Sequence, residues 1–145
     1  VIPVIKRAAE YRAFRISPDD TNYMACVADP IGEGVGFTFV VEIYAVGGKT
    51  PPNSHRAAHE LFFILSGEGR AHCDGNVAEI RAGDSVLLPP GSVHVIENTG
   101  SSKLYALCLM VPNEDFAEMI RAGTPVPLDE EDLAVLRRLP AAGAA

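Results

Sequence analysis

The chain has no tryptophan, only three cysteines, and no apolar run longer than Leu104–Val111. A run that short falls well below the roughly 20 apolar residues a membrane-crossing helix needs. Cys26, Cys73 and Cys108 are odd in number and share no CxxC spacing, which reads as reduced thiols rather than a disulfide framework. Positive charge is also scarce. Twelve Lys and Arg stand against 19 Asp and Glu, a net charge of −7 that argues against nucleic-acid or anionic-membrane partners. The opening VIPVIKRAAEYRAF lacks the apolar centre of a signal peptide, so a cytoplasmic location is expected.

What remains is an ordinary globular composition. Apolar residues make up 48% and charged residues 21% of 145 positions, which suits one domain with a real core. From about residue 22 to 111 the chain reads as short β-branched and aromatic runs cut by Gly, Pro and Asp. Strands are expected at 22–28, 36–46, 60–65, 70–73, 77–81, 85–88, 93–97 and 103–110. Gly47-Gly48, Gly67-Glu68-Gly69, Asp74-Gly75-Asn76 and Gly83-Asp84 supply the turns. Close spacing of this kind predicts an antiparallel sandwich or barrel.

A C-terminal extension over about 113–139 should be helical. Asn113 caps a helix that Gly123 ends, and Pro127 opens a second one with Asp129 to Asp132 in its first turn and Arg137, Arg138 in its last. These helices are expected to cover the barrel or a partner subunit, with a frayed tail at 140–145.

The chemistry gathers in two stretches. SHRAAHELFF, residues 54–63, sets His55, His59 and Glu60 at the entrance to a strand. Glu60 lies five residues after His55 and seven before Gly67. Downstream, Gly83, Pro89, Gly91, His94 and Asn98 follow the spacing G-x5-P-x-G-x2-H-x3-N. Together, over about residues 48–110, these resemble the paired signature motifs of the cupin superfamily. The downstream motif is complete; the upstream one carries Asn53 where the family has its first histidine. The resemblance implies an all-β fold, an antiparallel double-stranded β-helix (the jelly-roll barrel) with short C-terminal helices.

It also implies His55 and His94 as ligands of a divalent metal, since strand parity and turns can aim both at the barrel axis. The next ligand stays open between two neighbours. Glu60 holds the family's acidic place by its distance to Gly67, and shares parity with Phe62 and Ile64. His59 is placed from His55 as in all-histidine cupin sites, with a bulge before Gly67 absorbing the extra residue. His72, in RAHCDG, either faces solvent opposite Ala71 and Cys73 or fills the place that Asn53 leaves. A histidine-rich site favours zinc or nickel; a mixed one also suits iron or manganese.

Around the ion we expect an apolar cup. Phe62, Ile64, Val86, Leu88, Leu104, Leu107 and Leu109 are available to line it, with Asn53, Tyr44 and Tyr105 as polar contacts to a small-molecule substrate. The chain is similar to the single-domain cupins that cyclise aromatic polyketides. That likeness implies a Lewis-acid metal on a ketone oxygen, with Glu60 or His72 moving the α-proton. An iron-dependent dioxygenase and a non-catalytic binding cupin are the alternatives. A homodimer is expected, because the 36–46 run is apolar on both parities and its second face needs a cover.

Overall fold

The computed structural model describes residues 1–140, so the tail from 141 onward lies outside the described residues. Its strands are β1 (Arg12–Arg15), β2 (Asn22–Ala28), β3 (Thr38–Tyr44), β4 (His59–Ser66), β5 (Glu68–Cys73), β6 (Asn76–Arg81), β7 (Ser85–Leu88), β8 (His94–Asn98), β9 (Leu104–Val111) and β10 (Thr124–Val126). Two helices follow β9: α1 (Phe116–Arg121) and α2 (Glu130–Arg137). The strands form a seven-stranded sheet in the order β10-β1-β2-β3-β9-β4-β7 and a three-stranded sheet β6-β5-β8, and every pairing is antiparallel. This is the expected double-stranded β-helix. No helix among the described residues is long and apolar enough to cross a membrane.

Period-2 alternation sets the core. Along β4, Glu60, Phe62 and Ile64 are buried while His59, Leu61 and Phe63 are exposed. The inward residues meet Val40, Tyr44, Leu104, Ala106 and Ile96 in one apolar cluster between the sheets. The turn into β5 needs Gly67, which sits at φ 94° with the Lys103 carbonyl 2.8 Å from where a Cβ would be.

The predicted strands are all present, with ends shifted by one or two residues. β1 and β10 were not expected. RAFR is short and bounded by charge, and TPV carries a proline, which only an edge strand tolerates. α1 begins after Asp115, not Asn113, and has no side-chain cap at that residue, although Asn113 Oδ1 accepts from the Ala117 amide at 2.9 Å. At the start of α2, Asp129 and Asp132 form a reciprocal capping box, and Arg138 is the residue that ends the helix.

The second face of β3 is covered inside the chain. Val41, Ile43, Tyr23 and Tyr105 form a separate cluster with Val135 and Leu136 of α2 packed on it. That cover removes the reason given for a homodimer. It also moves Leu107 and Tyr105 away from the barrel interior.

One polar latch holds α2 in place. Asp132, with no exposed surface, accepts from the Tyr23 hydroxyl at 2.6 Å and the Tyr105 hydroxyl at 2.7 Å, with Lys103 Nζ at 3.1 Å. Removing it leaves two buried hydroxyls without an acceptor. Asp132→Ala should therefore lower unfolding stability by about 3 kcal/mol in urea titration. Asp129→Ala, a half-exposed cap, should cost only about 1 kcal/mol. Equal losses would mean that capping rather than the buried latch fastens the helix.

Candidate metal centre

The segment 48–55 is the piece that brings the two motifs together. It runs antiparallel beside β8, with Asn98 N–H donating to the Gly48 carbonyl at 2.8 Å and Thr50 N–H to Ile96 at 3.1 Å. Asn53 and His94 exchange both backbone hydrogen bonds, at 3.2 and 2.9 Å, and Gly91 N–H reaches the His55 carbonyl at 2.7 Å. Gly91 has φ 84°, a conformation open to glycine and strained for other residues. From the other side, Glu114 accepts the amides of Arg56 and Ala57 at 3.0 and 2.6 Å and pins the loop after His55.

The result is a convergence of three ligand-type atoms from different parts of the chain. His55, Glu60 and His94 each offer one atom, all within 4.8 Å of one another. Glu60 Oε2 is the shared point, 2.8 Å from His55 Nε2 and 2.9 Å from His94 Nε2. His94 Nδ1 lies 3.2 Å from the Ser92 carbonyl, which fixes the proton on that nitrogen and leaves a lone pair on Nε2. Yet Nε2 is buried without a hydrogen-bond partner, 2.9 Å from Glu60 Oε2. A buried, lone-pair-bearing nitrogen beside a carboxylate and a second imidazole is a donor set that fits a divalent cation.

Electrostatics agree with that fit. Burial alone would raise the Glu60 carboxyl, but hydrogen bonding to it, from His55 first of all, outweighs burial and holds it near 2. The Cys108 thiol donates to Glu60 Oε1 at 3.2 Å, orienting the carboxylate so that Oε2 faces the imidazoles. The hydrogen bond to Glu60 pushes His55 above its usual value against the effect of burial. A cation bound there would compete with the His55–Glu60 hydrogen bond.

The neighbouring histidines are not part of this cluster. His59 opens β4 on the outer face, exposed, beside Leu61 and Phe63. The strict alternation of β4 that turns Glu60 inward necessarily turns His59 out, which corrects the all-histidine reading. The irregularity expected before Gly67 does occur, between Ile64 and Ser66, but it falls after Glu60 and leaves its parity intact. His72 stands on the outward parity of β5, next to buried Ala71, with its Nε2 3.7 Å from Glu97 and 37% of its side chain exposed. It is corrected both as a ligand and as a proton-moving group.

A cavity of about 360 Å³ opens at the cluster, and Asn53, His55, Glu60, Phe62 and His94 are among its walls. Ile64 and Tyr44 pack in the core and do not line it, and Tyr105 faces α2. Of the apolar residues expected in the cup only Phe62 lines it. Phe116 and Met119 of α1 form part of the wall instead, the Phe116 ring 6.2 Å from that of His55. The polar wall was missed too. Asn22 and Glu42 line the cavity from β2 and β3, and Glu42 is fully buried in the run TFVVEIY. A glutamate on the same parity as Val40 and Tyr44 is a legible signal, since charged side chains are rarely buried without a purpose.

Comparison with known proteins follows the same lines. A cupin domain family matches residues 40–110. An uncharacterised protein of Methanocaldococcus jannaschii is 35% identical over 82 residues, covering 57% of this chain and 66% of that protein. An oxalate-binding protein of Thermotoga maritima is 38% identical over 69 residues, covering 43% of this chain and 57% of that protein. The chain thus spans under two thirds of the length of these curated relatives. Among solved structures, a predicted oxalate decarboxylase from Thermotoga maritima superposes with a TM-score of 0.68 at 27% identity, over 75% of this chain and 99% of that one. The two motifs, the jelly-roll topology and these matches agree, and the chain belongs to the cupin superfamily.

Proposed function

We propose that His55, Glu60 and His94 hold one divalent metal ion and that the protein acts through it on a small oxygen-bearing molecule in the cavity. The observation that carries this reading is the buried, unpartnered His94 Nε2, aimed with His55 Nε2 at a shared carboxylate oxygen. Bound there, the ion would supply Lewis-acid polarisation of a carbonyl or carboxylate oxygen, or oxygen activation if it is iron.

The protein's own groups do the positioning. The Ser92 carbonyl keeps the His94 ring in its donor tautomer, and Cys108 keeps Glu60 turned to the centre. Phe116, Phe62 and Met119 give the cavity its apolar wall and limit water. With three protein donors, further positions on an ion remain for a ligand.

Two earlier readings change weight. With Glu60 in the cluster and His59 outside it, the histidine-rich argument for zinc over iron lapses, and a donor set of two histidines and one carboxylate suits iron or manganese as well as zinc. That set is the observation favouring the dioxygenase as a second reading. A cavity of about 360 Å³ lies at the low end for ligand pockets and suits a small molecule better than an aromatic polyketide chain. The names of the Thermotoga maritima relatives point the same way, to a small oxygenated acid.

His94→Ala is expected to abolish stoichiometric metal while far-UV circular dichroism stays that of a β protein. The loss should exceed the roughly 10–100-fold that removing a ligand's supporting hydrogen bond costs. His59→Ala and His72→Ala should keep wild-type metal content by elemental analysis. Full occupancy in the first variant, or emptying in either of the others, would refute the assignment. Oxygen uptake by iron-loaded protein on small keto and hydroxy acids then separates the dioxygenase from the Lewis-acid reading.

A further inference from the structure

The cavity has a second polar pole, away from the histidines. Asn22 and Glu42 both line it and are both almost wholly buried, at 4% and 2% exposed. Asn22 Nδ2 donates to Glu42 Oε1 at 2.8 Å. The other end of the amide, Asn22 Oδ1, is buried with no partner. A buried acceptor without a donor costs free energy unless something supplies one.

The charge of the walls narrows what that something is. The lining includes the carboxylates Asp20, Glu42 and Glu60 and no lysine or arginine among the described residues. Glu60 is matched by His55, whereas Glu42 faces Asn22, the Tyr44 hydroxyl and the like charges of Glu60 and Asp20. Burial above all pushes the Glu42 carboxyl up to about 8.

A carboxylate of a ligand is an acceptor only and cannot satisfy Asn22 Oδ1. It would also add a negative charge where no cationic side chain awaits it. A hydroxyl both donates and accepts, and meets Asn22 Oδ1 and the Glu42 carboxyl together. We propose that the Asn22–Glu42 pair is a subsite for a neutral hydroxyl group, and that the ligand is a hydroxylated monoacid or ketone rather than a dicarboxylate. This rests on the proposed centre only for where the ligand's other oxygen lies. It sets the chain apart from a protein named for oxalate, a dianion, despite the likeness in fold and sequence.

Matched triads of ligands test it by calorimetry on purified protein, with metal content read in parallel. The series are acetate, glycolate and oxalate; propanoate, 3-hydroxypropanoate and malonate; and butanoate, 4-hydroxybutanoate and succinate. The best binder should be a hydroxy acid, preferred about tenfold over both members of its own triad. In the Asn22→Leu/Glu42→Leu double variant that preference should fall below about twofold with metal content unchanged. Glu42→Gln, which keeps a donor and an acceptor at the same place, should retain it and guards against misfolding of the double variant. A dicarboxylate as best binder, or a hydroxyl preference that survives the double substitution, overturns the subsite. The preference is read on whatever metal the protein holds. Wild-type protein without metal but with the preference therefore sinks only the centre, and metal without the preference sinks only the subsite.

Discussion

Asn53 and His94 exchange both of their backbone hydrogen bonds, and the site exists because of that pair. Neither motif alone makes a centre. His94 starts β8 in the small sheet, Glu60 lies near the start of β4 in the large one, and His55 sits in the loop between. The antiparallel run of 48–55 along β8 holds the His55 loop beside the His94 ring, and Gly91 and Glu114 fasten that loop from two directions. Only then does inward parity on β4 bring a carboxylate between two imidazoles. The geometry follows from backbone pairing across the two sheets, and the side chains take their places from it.

This accounts for what was legible beforehand. The downstream motif reads as structure in a direct way: Gly91 needs its positive φ, and His94 keeps the inward parity it shares with Ile96 and Asn98. Glu60 was legible by parity with Phe62 and Ile64, while counting from His55 pointed equally to His59. The tie breaks on a fact that the sequence does not state, namely that β4 begins at His59 without a bulge ahead of Glu60. The cover on Val41 and Ile43 was not legible either, because α2 reaches them through a contact more than eighty residues away, latched by Asp132. An apolar second face therefore read as an interface when it is an interior.

The distribution of charge inside the barrel gives the site its character. Two buried glutamates share the cavity and are driven in opposite directions. Glu60 is held down by its hydrogen bonds, from His55 first of all, and Glu42 is held up chiefly by burial. One is an anion ready for a cation; the other is suited to a hydrogen bond. A chain with a net charge of −7 has thus kept lysine and arginine out of the cavity walls among the described residues. Short of a protonated imidazole, the cation that compensates the cluster has to come from outside the side chains, and the unpartnered His94 Nε2 is the physical case for a metal.

X-ray absorption on iron- or manganese-loaded protein, joined to an anomalous-diffraction map, tests that case most directly. The account predicts one ion per chain with two imidazole nitrogens and a carboxylate oxygen at about 2.0–2.2 Å, the anomalous peak lying among His55, Glu60 and His94. Ion density at His59 or His72, or a shell containing three or four imidazoles, would contradict it.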